Sequence, residues 1–261
     1  MSHRRLLAPV LAAAVALVPA AAADAKAKTT IKPLRVLVSN DDGVKAPGID
    51  AVVTALRKLP KVTVTVVAPA ANQSGTGGKT TSGALTATKT TTKSGYPAIA
   101  VKGFPADSVN YALSKVVKKS QVDLVVSGIN AGANLGPLVD LSGTVGAARA
   151  AAAKGLPALA TSAGTPAVTN FGDGVKQTIA WVTANRAKLR KGTVQNLNIP
   201  QCSKGHARGT TSAKSTNNVP AGVNIFATVD CTQTAKASTD EVTAFLQGFA
   251  TLTKIPATPA S

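Results

Sequence analysis

Hydrophobic and polar positions switch between two periods along most of the chain. Val36, Leu37 and Val38 run without polar interruption, as in a short strand buried on both faces. Ile49, Val52, Val53, Leu56 and Leu59 then recur at helical spacing, with Asp50, Arg57 and Lys58 off that face, until Pro60 stops the helix. Residues 62–67 predict a second strand, and a polar, Gly-rich segment follows over 70–83. Thr-rich, β-prone stretches lie around 84–92 and 98–101. Pro105 and Asp107 open a helix whose apolar face is Val109, Ala112, Leu113, Val116 and Val117. Residues 122–126 predict a third buried strand, followed by a Gly- and Asn-rich loop over 127–141 and a small-residue helix over 143–154, which Gly155 caps. Further strands are predicted at 157–161, 194–199, 223–229 and 249–255. Helices are predicted at 174–191, with Val175, Ile179 and Val182 inward, and at 238–247.

Alternating strand and helix over this length predicts an α/β domain: a mostly parallel sheet with helices on both faces. Its crossovers are expected to be right-handed. Ligands in such sheets bind outside the carboxyl ends of the strands. The expected domain spans 34–256, with an irregular excursion at 200–221 and a tail at 257–261.

The start of the chain has a different pattern. Arg4 and Arg5 precede an apolar run over 6–18 and the small residues Ala21, Ala22 and Ala23, the layout of a secretory signal peptide over 1–25. The expectation is an exported protein, secreted or held in the cell envelope. About 235 residues then remain, enough for one domain with a sizeable core. In an exported chain, the two cysteines, Cys202 and Cys231, read as a disulfide worth roughly 3 kcal/mol, two buried thiols being the alternative.

Charge and scarcity narrow the chemistry. A net charge of +18 draws in anions, but aromatic residues are only 3% and the lysines are scattered. No basic stripe with interleaved aromatics supports nucleic-acid binding, and none specific for sequence is expected. His3 and His206 are the only histidines, one of them in the leader. A Ser-His-Asp triad and a His-rich zinc site are therefore excluded. Glu241 is the only glutamate, so acid–base or metal chemistry falls mainly on aspartates.

Three loops bring polar residues to one sheet edge. The first strand delivers Asn40, Asp41 and Asp42; the second, Asn72, Gln73, Ser74 and Gly75; the third, Ser127, Gly128, Ile129 and Asn130, with Asn134 beyond. Carboxylates, a hydroxyl and an amide carbonyl form an all-oxygen set suited to Mg²⁺, Mn²⁺ or Ca²⁺. Ser142, Gly143 and Thr144 open the small-residue helix, whose amides offer a phosphate cradle; an ordinary Ser N-cap fits the same residues. No Gly-x-Gly-x-x-Gly turn follows the first strand, which counts against a dinucleotide oxidoreductase.

Taken together, these motifs resemble the SurE-type acid phosphatases and nucleotidases. The residues carrying the likeness are Ser39-Asn40-Asp41-Asp42-Gly43 with Ala46-Pro47-Gly48, and Ala68-Pro69 with Asn72-Gln73-Ser74-Gly75. Pro105-Ala106-Asp107, Val125-Val126-Ser127-Gly128-Ile129-Asn130 with Gly132 and Asn134, and Ser142-Gly143-Thr144-Val145 continue it. Asn198-Ile199-Pro200, Thr239-Asp240 and Gly248-Phe249 match weaker positions. The resemblance implies a Rossmann-like domain with a C-terminal extension, a homodimer or tetramer that hydrolyses nucleoside monophosphates with a divalent metal. It maps metal ligands onto Asp41, Asp42, Ser74 and Asn130, and phosphate contacts onto Asn40, Asn134, Ser142, Gly143 and Thr144. Departures at Ala70, Ala71, Phe104 and Arg149, and the Cys pair, bear on substrate preference and subunit contacts.

The expected activity is a metal-dependent phosphomonoesterase, with Asp41 and Asp42 as its catalytic carboxylates around metal-activated water. Attack by an aspartate to give an aspartyl-phosphate remains open. So do hydrolysis of other phosphate esters or polyphosphate, and non-catalytic nucleotide binding on the same fold.

Overall fold

The computed structural model describes residues 31–258, apart from 166 and 169, together with Met1. Residues 2–25 of the expected leader lie outside the described residues, as do 259–261 of the tail. Among the described residues no helix is long and apolar enough to cross a membrane.

The chain runs β1 (Leu34–Ser39), α1 (Pro47–Leu56), β2 (Val62–Pro69), β3 (Thr86–Thr91), β4 (Pro97–Lys102) and α2 (Pro105–Tyr111). It continues through β5 (Leu124–Ala131), α3 (Leu138–Leu141), α4 (Gly143–Ala153), β6 (Ala158–Ala163), α5 (Gly172–Asn185) and β7 (Val194–Ile199). The last part holds β8 (Cys202–Lys204), β9 (Thr210–Ser212), β10 (Val229–Asp230), α6 (Glu241–Leu246) and β11 (Ala250–Ile255). Nine strands form one sheet in the order β3-β4-β2-β1-β5-β6-β7-β11-β9, and β8 pairs with β10 apart from it.

Strands β4, β2, β1, β5, β6 and β7 run parallel, while β3 and β11 are antiparallel to β4 and β7. Counted along the chain, the six parallel strands stand third, second, first, fourth, fifth and sixth. That is the doubly wound order, and it reverses between β1 and β5, where such sheets open a crevice. The expected α/β class, mostly parallel with helices on both faces, is the observed one.

Pleating sends Val36 and Val38 to one face of the sheet and Leu37 to the other. Ile49, Val52, Val53 and Leu56 of α1, with Val182 of α5, close the first face. Val109 of α2 and Val145, Ala148 and Ala151 of α4 close the second. Each fully buried Val or Leu contributes about 1.5–3 kcal/mol. A third cluster joins Ala133 and Leu135, just past β5, to Ile225, Val229, Val242 and Phe245 of the C-terminal extension.

Away from the sheet edge after β5, the structure departs from expectation at four places. After Tyr111 the helix widens, with the Val117 amide bonding the Ala112 carbonyl five residues back. This rotates the apolar phase, and Val116 is exposed. Helix α5 stops at Asn185, whose Nδ2 turns back to the Trp181 carbonyl at 2.8 Å. The strand expected at 223–229 survives only as Val229–Asp230. Asn224 breaks it: its Oδ1 accepts from the Phe226 amide at 2.9 Å, a turn-forming bond that competes with a ladder. Finally, the excursion is not wholly irregular, since β9 pairs with β11 at the sheet edge. Cys202 and Cys231 are disulfide-bonded, with Cα atoms 5.6 Å apart.

Candidate functional site

Strand β1 ends at Ser39, and the chain turns at once. Asn40 is fully buried and donates from Nδ2 to the Gly43 carbonyl at 2.9 Å, which closes the turn. Asp41 is thereby set against the start of α4, where Thr144 Oγ1 donates to its Oδ1 at 2.5 Å. Residue 143 must be small, because a Cβ there would lie 2.8 Å from the Cβ of Asp41. Burial raises the Asp41 pKa above the usual carboxylate range, and hydrogen bonds from Thr144 and Gly143 act in the other direction.

Asp42 is half-buried, and its Oδ2 accepts the Ala131 amide at 3.1 Å. Burial first, and the charge of Asp41 second, push its carboxyl up to about 7. Among the described residues neither acid pairs with a lysine, arginine or histidine. Two neighbouring carboxylates without a counter-charge are the condition that a bound divalent cation offsets.

Strand β5 extends past the expected 122–126 to Ala131, so Ser127 and Asn130 stand on the strand itself. Asn130 Nδ2 donates to the Gly132 carbonyl at 2.7 Å, which fixes the amide orientation. Its Oδ1 is buried and accepts no hydrogen bond. An orphaned buried carbonyl of this kind calls for an explanation, and ligation of an ion is one.

The loop after β2 is drawn to the same place. Gln73 donates its amide to the Asp41 carbonyl at 2.7 Å, and Gly77 donates to Leu141 at 2.9 Å. Asp107 accepts both the amide and the hydroxyl of Thr81, at 3.0 and 2.7 Å. At position 146 only glycine fits: a Cβ would come within 2.0 Å of the Gly77 carbonyl. Ser74 is exposed at this loop, its amide bonded to Asn72 Oδ1 at 2.8 Å.

Asn134 is held from two strands. Its amide donates to Asn198 Oδ1 at 2.7 Å and its Nδ2 to Ser162 Oγ at 2.8 Å, while Asn196 and Asn198 donate to its carbonyl. Ser142 caps α4 by accepting the Val145 amide at 3.1 Å.

Asp41, Ser74, Asn130, Asn134 and Ser142 line one cleft of about 320 Å³. Asp42 lies off its wall, tied to the cleft through Ala131. Asn40 and Thr144 are fully buried, and with Gly143 they support Asp41 from behind. Among the described residues no three His, Cys, Asp or Glu side chains cluster. A cation here would rest on two carboxylates and neutral oxygens, a set that suits hard ions.

The sequence reading assigned no role to Asn196 and Asn198, although asparagine at every second position of a buried strand signals a polar stripe. Glu241, the first residue of α6, is also fully buried, and its Oε1 accepts from the Gly136 and Thr216 amides and Ser215 Oγ, each at 3.1 Å.

The sequence profile of the family described as survival protein SurE matches residues 36–221. The chain is 45% identical over 131 residues to 5'-nucleotidase SurE of Vibrio campbellii, covering 50% of this chain and 49% of that protein. It is 39% identical over 170 residues to 5'-nucleotidase SurE of Desulfatibacillum aliphaticivorans, covering 64% and 66%. With 5'/3'-nucleotidase SurE of Yersinia enterocolitica it shares 39% over 180 residues, covering 67% and 68%. The match thus spans about half to two thirds of these curated relatives. The crystal structure of the SurE protein from Aquifex aeolicus superposes with a TM-score of 0.70 at 26% identity, covering 87% of this chain and 94% of that one.

Proposed function

We propose, because this chain belongs to the survival protein SurE family, that it is a metal-dependent phosphomonoesterase hydrolysing nucleoside monophosphates to nucleoside and phosphate. The names of its relatives as 5'- and 5'/3'-nucleotidases support the substrate class. One observation carries the site: the buried, unpartnered Oδ1 of Asn130 shares a cleft with Asp41 and Ser74. Asp41, Asp42, Ser74 and Asn130 would hold the cation, Mg²⁺ or Mn²⁺, with Ca²⁺ as a further fit. When bound, the cation neutralises phosphoryl oxygens and brings the pKa of a water toward 7.

The chain's own groups supply the rest. Thr144 and the start of α4 orient Asp41, and their hydrogen bonds oppose the effect of its burial. The Ala131 amide holds Asp42, leaving its second oxygen to accept a proton from the attacking water. Ser142 and Asn134, which line the same cleft, would bond phosphate oxygens.

The layout of residues 1–25 and the Cys202–Cys231 disulfide support export to an oxidising compartment, with the leader removed. Assembly as a homodimer or tetramer follows from the family resemblance, and sedimentation would test it.

The test of function is a panel of nucleotides, sugar phosphates and polyphosphate, assayed for phosphate release with Mg²⁺, Mn²⁺ or chelator. Release from nucleoside monophosphates that chelator abolishes is the expected result. Release only from polyphosphate, or none with any metal, overturns the reading.

A further inference from the structure

Among the described residues five large hydrophobic side chains are exposed, and two of them, Leu141 (58%) and Phe226 (37%), line the same cleft. Single exposed apolar residues are ordinary on protein surfaces; two lining one cleft beside Asp41, Asn130 and Ser142 are not. Phe226 is also the one aromatic residue on that wall, in a chain with only 3% aromatics.

The exposure of Phe226 does not come from a loose segment. Its amide is bonded to Asn224 Oδ1 at 2.9 Å, and Ile225 before it is buried with Val229 and Cys231 in the third cluster. The disulfide from Cys231 to Cys202 ties that cluster to the end of β7. The backbone that carries Phe226 is therefore anchored, and the side chain is exposed on the cleft.

We infer that Phe226, with Leu141, is the stacking wall for the nucleobase and sets the preference for nucleotides over phosphate esters that lack a base. This rests on the phosphomonoesterase reading above. Asp41, Asn130 and Ser142 give the cleft its polar groups for a phosphate, and Leu141 and Phe226 give it exposed apolar side chains. A cleft of about 320 Å³ is at the small end for ligand sites, enough for one sugar and a planar ring. Stacking on an aromatic face does not read base edges, so purine and pyrimidine monophosphates are both accepted.

The experiment compares AMP with ribose 5-phosphate, by calorimetric binding and by phosphate release, in the mature protein and in Phe226→Ala and Phe226→Trp. AMP is expected to bind about tenfold more tightly than ribose 5-phosphate. Phe226→Ala should reduce that ratio to within about twofold, and Phe226→Trp should keep it. A ratio unchanged in Phe226→Ala, or no preference in the parent protein, overturns the wall. So does an equal loss for both ligands, which marks a purely structural role. If the binding ratio behaves as expected but no phosphate is released with any metal, the wall stands and the phosphomonoesterase reading fails.

Discussion

Asn130 is fixed at its nitrogen and unsatisfied at its oxygen, and that asymmetry is what a ligating amide requires. A buried carbonyl without a partner costs about 1–3 kcal/mol, which a cation would offset. Mn²⁺ should therefore raise the melting temperature of the protein, as any ligand of the folded state does. Asn130→Ala should weaken that effect by about 10–100-fold in metal concentration. An identical Mn²⁺ titration in the variant would remove Asn130 from the ligand set. Asp41 would supply charge to the same cation. Asp41→Asn should lower metal-dependent phosphate release by about 10³-fold, with circular dichroism unchanged; near-normal turnover would place the chemistry elsewhere.

Two contacts between elements bring these residues together, and each has its own signature. The first is the approach of α4 to the Ser74 loop, where position 146 leaves no room for a methyl group. Gly146→Ala should cost about 1–3 kcal/mol and speed amide exchange at Gly77, whose N–H holds the Leu141 carbonyl. Unchanged exchange there would mean that the bonds of Gln73 and Asp107 hold the loop without this contact. The second contact is Glu241, which ties α6 to the segment after β5 and to the excursion. Burial raises its pKa in the folded state, with the three hydrogen bonds opposing. A raised acid contributes stability that is fully present below its unfolded pKa and is lost as pH rises through the folded value. Glu241→Gln should thus flatten the decline in melting temperature above pH 5; a decline parallel to the parent protein's would rule out this titration. These contacts also mark where reading the sequence stopped. Parallel order and the three loop motifs were legible because continuous apolar runs and Gly-Asn loops leave local patterns. The long-range bonds of Asp107, Asn196, Asn198 and Glu241 were not, because each anchors a segment far along the chain. Asn224 defeated the strand at 223–229 through a local bond that hydrophobicity does not register.

At the scale of the molecule, the sheet divides into a parallel part packed by two helical faces and an extension that has little regular structure of its own. Between Cys202 and Cys231 the only strand in the main sheet is β9, three residues long. What fixes this segment is the third hydrophobic cluster, one edge pairing and the disulfide. The bond spans a sequence separation of 29 residues, and closing a loop of that size removes about 3–4 kcal/mol of freedom from the unfolded chain. For a domain of this length, that is worth about 10 °C in melting temperature. Cys202→Ser with Cys231→Ser should show that loss, and reductant should impose the same loss on the parent protein. Because β1, β2, β5 and β6 pair without involving this segment, far-ultraviolet dichroism at 25 °C should persist in the variant. Its AMP-to-ribose-5-phosphate ratio should fall toward that of Phe226→Ala, since the bond ties down the cluster that anchors the segment carrying Phe226. A melting temperature within about 2 °C of the parent's would show that the hydrophobic cluster holds the extension unaided. In that case the disulfide would be a mark of the compartment and not a brace for the cleft.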